Sequence, residues 1–146
     1  MSKKKILILC TGNSCRSQMA EAFLKKLDPD LEVFSAGTSP AERVNPFTIR
    51  VMQEVGLDLS ANKTKSVERF LNQDFDFVIT VCGGVKETCP VFSGNVRERQ
   101  HIGFDDPADA TGSDAEILAV YRRVRAEIQV ACRQFYEDNL RSLMQL

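Results

Sequence analysis

The sequence predicts a three-layer α/β domain over residues 1–146, with a four-stranded parallel sheet carrying helices on both faces. Three observations lead there. Short apolar runs dense in β-branched residues alternate with stretches whose apolar residues recur at helical spacing. Turn-forming residues stand at the changes from one pattern to the other. No stretch rich in Pro, Gly or Ser and no internal repeat divides the chain, so one compact unit accounts for it.

Lys4 to Leu9 reads as a strand buried on both faces, interrupted by Thr11-Gly12-Asn13-Ser14. After Arg16, the residues Met19, Ala20, Phe23, Leu24 and Leu27 line one helical face, which Asp28-Pro29-Asp30 terminates. Leu31 to Ser35 is a second strand, and Thr48, Val51, Met52 and Val55 mark a second helix that Gly56 can cap. Ser66 to Asn72 shows a weaker helical pattern. Phe75 to Val81 is the strongest strand signal in the chain, and Arg99 to Phe104 predicts a fourth, shorter strand. Ser113, with Glu116 three residues on, opens a long last helix. Its inner face is Ile117, Val120, Tyr121, Val124, Ile128, Ala131, Cys132 and Phe135.

Strands alternating with helices imply right-handed crossovers and a parallel sheet, and such sheets bind ligands beyond the carboxyl ends of their strands. Cys10, Cys82 and the pair Asp105-Asp106 then gather at one edge. Neighbouring strands lie about 4.8 Å apart, so Cys10 and Cys82 can approach if their strands are adjacent.

Composition narrows the function classes. Nineteen basic against twenty acidic residues leave a net charge of −1, with no basic surplus for nucleic acid, which is not expected as a partner. The longest apolar runs, such as Ile6 to Cys10, fall far short of the roughly 18–20 residues that span a bilayer, so no membrane association is expected. The basic start Met1-Ser2-Lys3-Lys4-Lys5 precedes too short an apolar run for a signal peptide, and a cytoplasmic protein is expected. Five cysteines, Cys10, Cys15, Cys82, Cys89 and Cys132, are too few and too unevenly spaced for a disulfide framework. With no Cys-x-x-Cys pair and His101 the sole histidine, neither a metal nor a cofactor is expected. His101 reads as a strand-end residue and Cys132 as core packing.

The chemistry concentrates in Cys10-Thr11-Gly12-Asn13-Ser14-Cys15-Arg16-Ser17, a loop that leaves a strand and opens a helix. Successive loop N–H groups and the positive helix end bind a tetrahedral anion, and Arg16 can hold two of its oxygens in a fork. The same field favours a thiolate at Cys10, with Ser17 placed to hydrogen-bond the sulfur. A cysteine that merely packs at a strand end is the bland alternative. A leaving oxygen needs a proton, and the pair Asp105-Asp106 before Pro107 offers the candidate acid. A plain turn before a helix explains an Asp-Pro pair equally well.

This stretch resembles the phosphate-binding loop shared by low-molecular-weight protein tyrosine phosphatases and thioredoxin-coupled arsenate reductases, both single α/β domains of this size. Ser17-Gln18-Met19-Ala20-Glu21, Ser35-Ala36-Gly37, Val55-Gly56-Leu57-Asp58-Leu59-Ser60 and Gly103-Phe104-Asp105-Asp106-Pro107-Ala108 extend the resemblance to the reductases over nearly the whole chain. It implies that Cys10 attacks arsenate, that Asp106, the aspartate directly before proline, is the general acid with Asp105 second, that Cys82 attacks the sulfur of Cys10 and releases arsenite, and that Cys89 captures Cys82 in a new disulfide. Two electrons are needed to take As(V) to As(III), and a dithiol going to a disulfide supplies two. Thioredoxin is the implied electron donor, glutaredoxin and mycothiol being alternatives. Phosphate or sulfate would mimic the substrate, and a monomer is expected.

A helical Cys82 to Cys89 would separate the two Cα atoms by about 10.5 Å along the axis, whereas a disulfide needs roughly 4.4–6.8 Å. The segment is therefore expected to loop or unwind on oxidation, with Gly83-Gly84 as the hinge. Phosphatases of this fold usually carry a tyrosine after Asp-Pro, where this chain has Ala108. The runner-up remains a phosphatase acting on phosphotyrosine, and a non-catalytic oxyanion-binding or redox-sensing module is the third reading. Cys15 either packs under the loop or forms a protective disulfide with Cys10. Some reductases bind potassium through an asparagine, a glutamate, a serine and an aspartate. Asn13, Glu21 and Ser35 match three of these, but Thr64-Lys65-Ser66 has no acid, which argues against potassium dependence.

Overall fold

The computed structural model describes residues 4–83 and 91–141. Four parallel strands, β1 (Lys5–Cys10), β2 (Glu32–Gly37), β3 (Phe75–Thr80) and β4 (Val96–His101), lie in the order β2-β1-β3-β4. Helices α1 (Arg16–Leu27), α2 (Pro46–Gln53) and α3 (Asp114–Tyr136) complete the main elements, with short 3-10 helices at Val67–Phe70 and Pro107–Asp109. The chain runs from β1 outward to β2 and then returns to the other side of β1 for β3. That reversal puts the switch point of the sheet between the carboxyl ends of β1 and β3, where open α/β sheets bind ligands.

Both faces of β1 are covered, because its residues are apolar in unbroken succession. Ile6, Ile8 and Cys10 pack on one side with Met19, Phe23 and Leu24 of α1 and with Tyr121, Val124 and Ile128 of α3. Leu7 and Leu9 face the other side, against Ala36, Phe70, Phe75, Val78 and Phe92. Among the described residues, α1, α2 and α3 cover one face, while the 3-10 helix Val67–Phe70 and Phe92 lie on the second in an aromatic cluster with Phe34 and Phe75. Each fully buried Ile or Leu side chain contributes roughly 1.5–3 kcal/mol by leaving water. Among the described residues, no helix is long and apolar enough to cross a membrane.

The element expected at Arg99 to Phe104 is displaced. β4 begins three residues earlier, at Val96, and ends at His101. As the edge strand it leaves Arg97, Glu98 and Arg99 exposed, so neither alternation nor an apolar run marks it in the sequence. The pattern over Ser66 to Asn72 resolves into one 3-10 turn, with the Ser66 side chain accepting from the Glu68 N–H. At α3 the Ser113 and Glu116 capping box forms in both directions. Leu118, absent from the expected inner face, is buried there, whereas Ile117, Val120 and Ala131 are only partly buried.

Candidate active site

The loop from Thr11 to Cys15 leaves β1 and enters α1 with its carbonyls held outward. Thr38, Ser39, Ala41 and Asn45 donate their N–H groups to the carbonyls of Cys10, Thr11, Gly12 and Ser14 at 3.3, 3.0, 2.9 and 3.1 Å. Peptide planes fixed in this way present their N–H edges inward, and the Asn13 N–H reaches the Cys10 Sγ at 3.1 Å. Gly37 permits this apposition of β2, since a Cβ there would stand 2.3 Å from the Thr11 carbonyl oxygen. Asn13 itself takes a left-handed backbone, φ 53°, a strained conformation for which Asn is among the most tolerant side chains.

Behind the sulfur runs an ordered set of hydrogen bonds. The Asn13 Nδ2 donates to the Ser17 Oγ at 2.8 Å and to the Ser35 Oγ at 2.9 Å. With its oxygen accepting from Asn13, Ser17 has its hydroxyl proton free to point at the Cys10 Sγ, 2.9 Å away. The Asn13 Oδ1 accepts from the Lys65 N–H at 2.9 Å and from the Gln18 Nε2 at 3.2 Å. Gln18 also donates to the carbonyls of Asn13 and Lys63 and accepts from the Asn62 Nδ2. α1 starts on Cys15 with no side-chain cap hydrogen bond and no acidic residue in its first turn, so its positive end is aimed into the loop.

Arg16 is only 3% exposed. Its Nη1 donates to the Phe104 carbonyl at 3.1 Å, and its Nη2 lies 3.5 Å from the Asp106 Oδ2. Asp106 is thereby brought over the loop, its other carboxylate oxygen accepting from the Ala108 N–H at 3.0 Å. Asp105 turns away, 72% exposed and paired with Arg123 at 3.2 Å, so of the two aspartates Asp106 stands at the site.

Leu9 accepts from the Val81 N–H at 3.0 Å, which places Cys82 just past the end of β3 beside the strand that ends in Cys10. Cys82 is buried and disulfide-bonded, whereas Cys10, Cys15 and Cys132 are free. Cys89 and Gly84 lie outside the described residues, as does most of the segment expected to unwind. Gly83 packs against the Phe104 backbone, where an added Cβ would come 2.5 Å from the carbonyl oxygen that holds Arg16.

Cys15 lies under the loop, its Sγ 3.7 Å from the Tyr121 hydroxyl. Burial pushes its thiol up, outweighing the nearby hydroxyls of Thr48, Ser14 and Tyr121. Burial also pushes Cys132 up to about 12, and its thiol rests on the Ala20 carbonyl as a core residue. His101 ends β4 with its Nδ1 2.8 Å from the Thr80 Oγ1. Among the described residues, no group of three His, Cys, Asp or Glu side chains is placed to hold a metal. Gln18, Asn62 and Lys65 brace the loop through contacts with residues distant in sequence, and local spacing carries no signal for them.

Comparison with known proteins agrees with this geometry. The family model described as low molecular weight phosphotyrosine protein phosphatase matches residues 5–145. An arsenate reductase of Halalkalibacterium halodurans is 48% identical over 94% of this chain and 98% of its own length. That of Bacillus subtilis is 42% identical over the same shares. A solved arsenate reductase in the phosphate-binding state superposes with a TM-score of 0.76 at 33% identity, covering 92% of this chain and 98% of that one. The chain belongs to the low-molecular-weight phosphotyrosine protein phosphatase family, on the branch whose curated relatives are arsenate reductases.

Proposed function

We propose that the protein reduces arsenate to arsenite with Cys10 as nucleophile, and that thioredoxin returns it to the dithiol state. The observation that carries the reading is the Cys10 sulfur, which meets the Ser17 hydroxyl and the Asn13 N–H within a loop closed by Arg16 and Asp106. The thiolate is the attacking form, and the donors gathered on this sulfur hold it in place for attack. Thr11, Gly12, Asn13, Ser14, Cys15 and Arg16 form the oxyanion cradle, supported by Ser17 and the amides at the start of α1.

In the proposed reaction the Cys10 thiolate forms a bond to As(V) and one oxygen leaves as water, its proton supplied by Asp106. The Cys82 thiolate then attacks the Cys10 sulfur. The S–As bond breaks with its electron pair on arsenic, giving As(III) as arsenite and a Cys10–Cys82 disulfide. Cys89 attacks Cys82, forming Cys82–Cys89 and restoring the Cys10 thiol, and the thioredoxin dithiol reduces that disulfide in two electrons. The placement of Cys82 beyond β3 at the switch point and its disulfide-bonded state support its part in this relay. Arsenate and phosphate share shape and charge, so a second reading, hydrolysis of phosphotyrosine, uses the same Cys10, Arg16 and Asp106. Ala108 on the rim supplies no aromatic wall for such a substrate.

A single turnover tests the proposal. Reduced protein mixed with one equivalent of arsenate should yield one arsenite and one intramolecular disulfide, mapped by mass spectrometry to Cys82 and Cys89. Arsenite formed equally well by Cys10→Ser would remove Cys10 from the reaction.

A further inference from the structure

Behind the anion loop sits a charged pair that the reaction above does not use. Glu21, on α1, is buried to 7% exposure, and its Oε1 accepts the Ser35 hydroxyl proton at 2.5 Å. A carboxylate buried to that degree is stable as an anion only when cations and donors meet it. Two lysines do so from different elements. Lys25, one turn along α1, reaches the Glu21 Oε2 at 2.7 Å from an exposed position. Lys65 is more enclosed, and its Nζ stands 3.5 Å from the Glu21 Oε1 and 3.4 Å from the Ser35 Oγ.

The backbone of Lys65 is fixed as tightly as its side chain. Its N–H donates to the Asn13 Oδ1, and its carbonyl accepts from the Gly37 N–H at 2.9 Å. One residue therefore braces the loop through its main chain and delivers an ammonium to the carboxylate behind it. From that ammonium the contacts pass without a gap from Glu21 and Ser35 to the Asn13 amide, the Ser17 hydroxyl and the Cys10 sulfur. A set of Asn13, Glu21 and Ser35 oxygens with a fourth acid would suit a monovalent cation. Here the fourth position is itself a cation, and the residues do not fit a bound potassium ion.

We infer that Lys65 is a positioning residue for Cys10, a tethered ammonium that takes the place of a free monovalent cation. It neutralises Glu21, to which Ser35 donates, and so fixes the Asn13 amide, which donates to both Ser35 and Ser17 and holds the Ser17 hydroxyl beside the sulfur. The inference rests on Cys10 being the nucleophile. Glu21 and Lys25 from α1 meet Lys65 at this patch, and Arg16 paired with Asp106 supplies the charges at the loop itself. Removing the Lys65 charge leaves one buried negative charge under-compensated behind the thiolate, which disfavours a second negative charge at Cys10.

The test is the pH profile of Cys10 alkylation by iodoacetamide, with the modified peptide identified by mass spectrometry. Lys65→Met keeps the main-chain braces and removes the ammonium. It should move the profile to higher pH and slow alkylation at neutral pH by about three- to tenfold. Adding Glu21→Gln, which keeps an acceptor for Ser35 without the charge, should return the profile most of the way to wild type. An unmoved profile in folded Lys65→Met overturns the inference, as does a double variant that stays shifted as far as the single one. If Lys65→Met does not fold, Lys65→Gln carries the same measurement. Arsenite production is not the readout, so a failure here is distinct from a failure of the reductase reading, which Cys10→Ser decides.

Discussion

Asn13→Ala is the substitution whose consequence the structure sets most fully. The Asn13 side chain is completely buried and makes four hydrogen bonds, to Ser17, Ser35, Gln18 and the Lys65 main chain. At a net ~1 kcal/mol each, their loss comes to about 4 kcal/mol, and groups left unpaired in the interior work in the same direction. Alanine at a φ of 53° adds about 1 kcal/mol of backbone strain. Relaxation around the deleted side chain recovers part of this, leaving about 3–5 kcal/mol, a large share of the 5–15 kcal/mol typical of a domain. The unfolding midpoint should fall by roughly 10 °C. Asn13→Gly, free at positive φ, should be about 1 kcal/mol more stable than Asn13→Ala. Urea unfolding followed by circular dichroism measures both. A loss below ~1 kcal/mol for Asn13→Ala, or a glycine variant no better than alanine, would refute the view that this residue holds the loop.

Gly83→Ala should displace the Phe104 carbonyl from Arg16 and weaken arsenate or phosphate binding by roughly tenfold, read by isothermal titration. Hydrogen bonds from Arg122 and Arg125 hold the Glu54 carboxyl down at about 2, against an ordinary 4.5. A carboxyl depressed by folding stabilises above its unfolded value and ceases to do so as pH falls through the folded one. Glu54→Gln should therefore lower stability at neutral pH and flatten the loss of stability between about pH 4.5 and 2 in acid titrations. Cys132, pushed up to about 12 by burial, should resist iodoacetamide at pH 8 in the native protein and react once urea unfolds the chain.

The parts of the fold legible in the sequence were those where one physical force dominates. β1 reads as an apolar run from Ile6 to Cys10, β3 stands out by its aromatic and β-branched residues, and α3 shows its capping box and most of its apolar stripe. β4 was misplaced because an edge strand answers to its neighbour's backbone, and its exposed Arg97, Glu98 and Arg99 bear no pattern of their own. The site divides in the same way. Cys10, Arg16 and Ser17 are legible from local spacing and Asp106 from the family resemblance, and the structure sets Cys10 against Ser17 and Arg16 against Asp106. Gln18, Asn62 and Lys65 act through contacts with residues distant in sequence, which spacing cannot encode. In the sequence Lys65 marks only the lack of an acid in Thr64-Lys65-Ser66, whereas in the structure its ammonium stands 3.5 Å from the Glu21 carboxylate.

Arsenate reduction through Cys10, Cys82 and Cys89 stands or falls on NADPH oxidation with arsenate, thioredoxin and thioredoxin reductase, wild type beside Cys89→Ala. Sustained arsenate-dependent oxidation is expected in wild type and its loss in the variant, with Cys10→Ser inactive from the first turnover. No arsenate-dependent oxidation by wild type, together with efficient hydrolysis of p-nitrophenyl phosphate, would contradict it and make the protein a phosphatase.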